Sequence, residues 1–296
     1  MKKFVSAVLC AVMCLCCACA LGEGAWGQEP LCFTGNVYAS YDDSPLPDGH
    51  LKIAIKFVDE RPARERQYFI VDIQVRSPEV LTTAFYNPGN MKKTGLLEDI
   101  AKNNQAVLAV NCDFCGDHDS GVIIRNGELL RKQNITRHHL LVIDKEGNMS
   151  AITDRTGKQG VLAERLMQES TWQTFEFGPV LVENGQAAEL PGRFYVNCHD
   201  GYYEPRTAIG QLGPLHYIVI VVDGRRDNYS TGASIPQLQK LFLDEGAQFA
   251  FNLDGGGSTS LYFLGEVVNM PSGGKERSVS DIVMFMPNAV PADVQL

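Results

Sequence analysis

The chain has 296 residues, 45% of them hydrophobic and 21% charged, with a formal net charge of −9. That composition is globular, long enough for one large domain or two small ones, and it excludes extended disorder. The acidic balance, with no Lys/Arg cluster beyond Lys2-Lys3, argues against a nucleic-acid partner, which needs a basic stripe. At the N-terminus, Lys2-Lys3, the uncharged run Phe4 to Leu21 and the small-x-small site Ala18-Cys19-Ala20 read as a signal peptide over residues 1–20. The chain is therefore expected to be exported, either secreted or held at the cell envelope. The apolar run also has the length of an uncleaved anchor, and Cys16, Cys17 and Cys19 offer lipidation sites. These are the only routes to a membrane that the sequence provides. Of the nine cysteines, Cys32, Cys112, Cys115 and Cys198 lie beyond this segment. Cys112-x-x-Cys115 fits a structural pair, free thiols, half of a zinc site or a redox motif.

Residues 21–50, rich in Gly, Pro, Asp and Ser, are expected to be loosely ordered. The domain proper is expected over 51–296. Alternation of Leu51, Ile53, Ile55 and Phe57 predicts a strand, and Tyr68–Val75 and Leu81–Tyr86 predict two more. Leu96, Leu97, Ile100 and Ala101 predict a short amphipathic helix, and Ala106–Phe114 a buried strand. Gly121–Leu130 predicts a hairpin, because Asn126-Gly127 suits a tight turn with positive φ; Leu140–Thr153 predicts another. Val161–Ser170 reads as a helix. Gly178 to Val182, Arg206–Gln211 and His216–Asp223 read as strands. Ser234 is placed to cap a helix running through about Glu245, with Pro236 in its first turn and Gly246 ending it. Phe249–Leu253, a hairpin through Leu264-Gly265-Glu266 and a strand Asp281–Met286 complete the chain. Strands outnumber helices, so the predicted class is α+β: a mixed, mostly antiparallel sheet with a few packing helices in a single catalytic domain.

The strongest chemical signal is Asn252-Leu253-Asp254-Gly255-Gly256-Gly257-Ser258. Strand alternation projects Asn252 and Asp254 from one face, and three glycines let the main chain approach a ligand and offer its N–H groups to an anion. A flexible hairpin loop is the plainer reading. No Lys follows the glycines, so this is not a phosphate-binding P-loop. Arg206-Thr207 opens an apolar strand, where Arg206 can grip a phosphate two-pronged or form a surface salt bridge. Asn111 and Asp113 share a strand face in the same way as Asn252 and Asp254; turn chemistry explains them equally. Asp223-Gly224-Arg225 reads as a turn first and a site second. His199 and His216 serve as acid–base groups or as ordinary histidines. Asn134-Ile135-Thr136 is a glycan-acceptor pattern without weight in a bacterial-looking exported chain.

Together these segments come in a familiar order: Asn111-Cys112-Asp113-Phe114, Gly121 to Gly127, Gly178 to Val182, Arg206-Thr207-Ala208-Ile209-Gly210, Val222-Asp223-Gly224-Arg225, Asn252 to Thr259 and Arg277 to Asp281. The chain resembles the phosphodiester glycosidase family over roughly residues 100–287, as a bacterial exported member. This is the domain of the mannose 6-phosphate uncovering enzyme, which removes N-acetylglucosamine from a phosphodiester. Cys112 and Cys115 stand where the family more often has Gly and an aromatic residue. The resemblance implies hydrolysis between a sugar's anomeric carbon and a phosphate oxygen, with a sugar phosphodiester or envelope glycan as partner. Asp254 is expected as nucleophile or base, Asp113 as second carboxylate, and Arg206 with the Gly255, Gly256 and Gly257 amides as phosphate holders. Asn111, Thr207, Asn252, Ser258 and Asp223 are expected to orient substrate, with Arg277 and Asp281 supporting them. No cofactor is expected. Two competing readings are a polysaccharide-binding module and a metal-dependent phosphodiesterase holding a divalent cation on Asp113, Asp223 and Asp254.

Overall fold

The computed structural model describes residues 37–43, 49–61, 63, 65–133, 138–153 and 160–287. The expected signal peptide, Cys32 and Asn134-Ile135-Thr136 lie outside these. No helix among the described residues is long and apolar enough to cross a membrane.

An eight-stranded sheet forms the largest layer, in the order Val37–Asp42, Leu51–Asp59, Gln67–Val75, His216–Val222, Arg206–Gly213, Phe249–Asn252, Val180–Glu183 and Gln186–Ala187. A five-stranded sheet runs Glu266–Val267, Leu261–Phe263, Leu108–Asn111, Asp281–Phe285, Leu81–Phe85. A three-stranded sheet (Thr171–Phe177, His139–Asp144, Met149–Ile152) and the hairpin Gly121–Arg125 with Glu128–Gln133 complete the set. The registered pairs among the described residues are antiparallel, and with three α-helices the class is α+β.

Alternation sorts the side chains into layers. Phe69, Val71 and Ile73 point into one core with Val219, Val221 and Phe251, where Leu108, Val110, Val283 and Phe285 of the five-stranded sheet meet Phe175 and Leu141 of the three-stranded one. Tyr68, Ile70, Ile218 and Ile220 face the other way, against helix α3 (Ile235–Asp244) through Leu238, Leu241 and Phe242. Burying each such side chain contributes about 1.5–3 kcal/mol. Helix α1 (Leu97–Asn103) covers the outer face of the five-stranded sheet through Leu97, Ile100 and Ala101. Helix α2 (Val161–Gln168) covers Val122, Ile124 and Leu140 through Ala163 and Leu166.

Local chemistry sets the ends. Ser234 and Gln237 form a reciprocal capping box on α3, and Gly246 follows its end with φ +78°. Asn126-Gly127 and Asn184-Gly185 turn with positive φ at both residues, as tight hairpins require. Two elements depart from expectation. Within the supposedly loose residues 21–50, Val37–Asp42 pairs with Leu51–Asp59 as the edge strand, and the Asp43 carboxylate accepts the Leu51 N–H at 2.7 Å. The segment Thr171–Phe177 follows α2 as a strand not foreseen. Its buried Thr174 and Glu176 side chains accept the Ile124 and Val122 N–H groups, replacing a main-chain ladder with side-chain bonds.

Candidate active site

The chain leaves the eight-stranded sheet at Asn252, passes through the glycine run, and enters the five-stranded sheet at Leu261. This crossing is stitched from both sides. The Leu253 N–H donates to Thr207 O at 2.9 Å, and the Asp254 N–H to Cys112 O at 3.1 Å. Asn111 Nδ2 donates to Asp254 O at 2.7 Å, while Asn111 Oδ1 accepts from Thr207 Oγ1 at 2.7 Å and from Ser260 N at 3.2 Å. Asn252 Nδ2 donates to Gly178 O at 2.7 Å. Asn111, Thr207 and Asn252, all buried, therefore brace the loop from below and do not line the cleft.

Above the crossing opens a cleft of about 320 Å³, lined by Asp254, Gly255, Gly256, Gly257, Arg206, Arg225, Arg277, Glu204 and Asp117, with Phe114, Phe177, Tyr195 and Val196 along an apolar wall. Arg206 and Asp254, carried by different strands, do share one hollow. Gly255 sits so close to the start of the Arg206 strand that a Cβ there would lie 2.7 Å from Pro205 O. Gly256 adopts φ +60° beneath the Arg225 guanidinium, a conformation costly to residues with a Cβ.

The expected cradle of glycine amides is only partly available. The Gly255 N–H is taken by Asp254 Oδ1 at 2.8 Å and the Gly256 N–H by Pro205 O at 2.9 Å. Three arginines line the cleft beside this loop. Arg206 is buried and donates to main-chain carbonyls, to Ala233 O at 3.0 Å and Tyr202 O at 3.4 Å. Burial lowers its pKa to about 10, so it stays cationic at neutral pH. Arg225 hydrogen-bonds Glu204 and holds φ +57°, a strained conformation for a non-glycine residue. Arg277 donates to Asp254 Oδ2 at 3.0 Å and to Ser258 Oγ. Burial raises the Asp254 pKa above its ordinary value, against the pull of Ser258, Arg277 and the Gly255 N–H.

Three other expected acids are elsewhere. Asp113 and Asp281 are buried on either side of Arg125, whose Nη2 lies 3.1 Å and 3.0 Å from their carboxylates. Asp113 further accepts the Cys115 and Glu176 N–H groups at 3.1 Å and 2.9 Å. It is a structural anchor, not a second carboxylate in the cleft. Burial raises Asp281, with Arg125 opposing. Asp223 accepts from Tyr229 Oη and Asn269 Nδ2, each at 2.9 Å, and ties down the Met270 loop. Asp113, Asp223 and Asp254 thus have separate partners and do not assemble as one cation site. Cys112, Asp113 and Asp281 do lie within ligand reach of one another, but the Arg125 guanidinium fills the space among them, 3.7 Å from Cys112 Sγ. Cys112, Cys115 and Cys198 are free thiols, and burial pushes Cys112 and Cys115 well above the ordinary thiol range. His216 pairs with Asp72 at 2.7 Å at the opposite end of the sheet, and His199 is exposed away from the cleft lining.

Sequence reasoning quoted Asp223-Gly224-Arg225 without giving Arg225 a role, and it passed over Glu204, Asp117, Phe177 and Tyr195 in this lining. Phe114 stacks on Tyr195 with centroids 5.5 Å apart and planes at 10°, and Phe177 meets Phe114 edge-on at 5.2 Å. The aromatic at position 114 was visible in the motif; Tyr195 comes from a long loop with no periodic signal.

The fold is antiparallel α+β, with a glycine-rich loop, three arginines and the carboxylates of Asp117, Glu204 and Asp254 around one polar cleft. The particular family follows from comparison. Residues 104–286 match the family model described as Phosphodiester glycosidase, and the chain belongs to that family. Among solved structures it superposes on the catalytic domain of zebrafish N-acetylglucosamine-1-phosphodiester alpha-N-acetylglucosaminidase, auto-inhibited by its pro-peptide, with TM-score 0.60 and 21% identity over 85% of this chain and 87% of that one. A hypothetical protein from Synechocystis gives TM-score 0.60 at 16% identity, over 79% of this chain and 62% of that one. The SPbeta prophage-derived protein YomE of Bacillus subtilis is 27% identical over 235 residues, 78% of this chain. The chain matches 35% of the length of YomE.

Proposed function

We propose that this protein is a glycosidase that hydrolyses the bond between the anomeric carbon of an N-acetylglucosamine-like sugar and a phosphodiester oxygen, in envelope or exogenous glycans. The carrying observation is the cleft in which Arg206, Arg225 and Arg277 surround the single recessed carboxylate Asp254. A phosphodiester brings a negative charge for the arginines, and the sugar's apolar face suits Phe114, Phe177 and Tyr195. As the glycosidic bond breaks, positive charge grows at the anomeric carbon and negative charge on the departing phosphate. Asp254 stabilises the first, and Arg206, which among the described residues hydrogen-bonds main-chain carbonyls and no carboxylate, stabilises the second. The leaving phosphomonoester has a second pKa near about 6 and needs no general acid. The chain's own residues supply each of these roles, so no cofactor enters the proposal. The protein acts outside the cytoplasm after export, in contact with a membrane only through an uncleaved or lipidated N-terminus.

The test is product analysis on N-acetylglucosamine phosphodiesters. Free sugar plus phosphomonoester is expected, with chelator leaving the rate unchanged. Asp254→Asn should lower kcat by about 10³-fold or more without unfolding the protein. Sugar phosphate plus alcohol, abolished by chelator, would make the protein a metal-dependent phosphodiesterase. Binding without turnover would make it a polysaccharide-binding module.

A further inference from the structure

Hydrolysis at an anomeric carbon generally uses two carboxylates, and Asp254 is one. With Asp113 and Asp281 closed around Arg125, Asp223 held by Asn269 and Tyr229, and Glu204 gripping Arg225, those four acids are already engaged. Asp117 differs from all of them. It lines the same cleft as Asp254, is exposed, and ends the single 3₁₀ turn Cys115–Asp117. That turn is held through the main chain: the Asp117 N–H donates to Phe114 O at 3.0 Å. No hydrogen bond or ion pair engages its carboxylate among the described residues. The fold thus points a free acid into the cleft without using it to hold anything together.

We infer that Asp117 is the general base that activates the hydrolytic water, a role that rests on the glycosidase reading above. The two acids divide the work by environment. Asp254 is recessed, bound to the Gly255 N–H and to Arg277, and keeps a fixed negative charge beside the anomeric carbon. Asp117 has both oxygens free for a water molecule. In the step, the water oxygen bonds to the anomeric carbon while the bond from that carbon to the phosphate oxygen breaks. The electron pair of the broken bond stays with the phosphate oxygen, and the water proton passes to Asp117 and then to solvent. The products are the free sugar and a phosphomonoester carrying one more negative charge than the phosphodiester. The charge of Asp117 also reaches Asp254, where it adds to the upward shift that burial dominates.

The experiment compares wild type with Asp117→Asn and Asp117→Ala on an N-acetylglucosamine phosphodiester across pH. Thermal melts should be unchanged, because the side chain braces nothing. The expected loss in kcat is about 10²–10⁴-fold, with KM within a few-fold. Formate should restore turnover to Asp117→Ala without affecting wild type. If Asp117→Asn keeps near-wild-type kcat while Asp254→Asn is inactive, the inference fails and the glycosidase reading stands. Loss of activity in Asp117→Ala without formate rescue also overturns it, leaving a positioning role. A wild type that releases no sugar removes both.

Discussion

Replacing Arg125 by methionine removes a cation that lies between two acids in the interior. Its side chain is 2% exposed, and those of Asp113 and Asp281 are 1% and 0%. Methionine keeps much of the apolar volume over the Phe175 ring, where the guanidinium carbon sits 4.6 Å from the centroid. What is lost is charge compensation for both carboxylates and a hydrogen bond to Thr174 O. Removing one partner of a buried pair costs about 3–5 kcal/mol. For a domain of this size each kcal/mol lowers Tm by about 2–4 °C, giving a drop of about 6–20 °C. The pH dependence has a definite sign. Without the cation, two like charges face each other, so the folded state holds a proton at a pKa above that of the unfolded chain. A raised folded pKa stabilises fully below the unfolded carboxylate pKa, about 4, and that contribution is lost as pH rises through the folded value. The deficit of Arg125→Met should therefore be smallest near about pH 4 and grow toward neutrality. Urea denaturation at several pH values measures it, and adding Asp281→Asn should return about 1–3 kcal/mol at neutral pH. A neutral-pH deficit below about 1 kcal/mol, or one independent of pH, would refute the idea that this cluster is an ion-paired anchor. Activity should fall as well, since Asn111 and Cys112, the neighbours of Asp113, hold the main chain of Asp254.

Arg206→Ala should lower kcat/KM on sugar phosphodiesters by about 10²–10³-fold and much less on aryl glycosides with uncharged leaving groups; equal losses on both would dismiss a phosphate contact. Gly255→Ala should cost about 1–3 kcal/mol of stability along with most activity, because the new methyl meets Pro205 O at 2.7 Å. A melt identical to wild type would show that the close approach of these two segments is dispensable.

Much of this architecture is legible in the chain. Asn126-Gly127, Asn184-Gly185 and the Ser234–Gln237 cap mark their turns and helix end by local conformational chemistry, and the glycine run with Arg206 marks the cleft. The failures have physical causes. Alternation carried Asn111 and Asp113 to the same face as a functional pair, but the strand ends at Asn111 and the chain tightens into a turn at Cys115. The acid delivered to the cleft is Asp117, four residues beyond the one alternation selects. The strand Thr171–Phe177 escaped notice because its buried faces include Thr171, Gln173, Thr174 and Glu176. The Gln173, Thr174 and Glu176 side chains accept from the hairpin main chain, so the polarity pattern reports partners rather than exposure. Arg125 and Arg225 lie in the quoted motifs, but nothing local assigns their roles: one inserts between acids 12 and 156 residues away in sequence, and the other reaches the cleft from a backbone at φ +57°.

The acids of this fold differ by what compensates them. Asp113 and Asp281 have a buried cation that water cannot reach, so their charge is committed to structure. Asp254 is intermediate: its partner Arg277 is 55% exposed while Asp254 itself is 15% exposed. An exposed pair of this kind contributes little to stability and is easily exchanged. Under the glycosidase reading proposed above, a phosphodiester entering beside Gly257, which Arg277 overlies, competes for that guanidinium with its two non-bridging oxygens, while Asp254 keeps the Gly255 N–H as a donor. This exposed pair is the part of the site that such an anion rearranges at least cost, whereas the charges around Arg125 stay committed to structure.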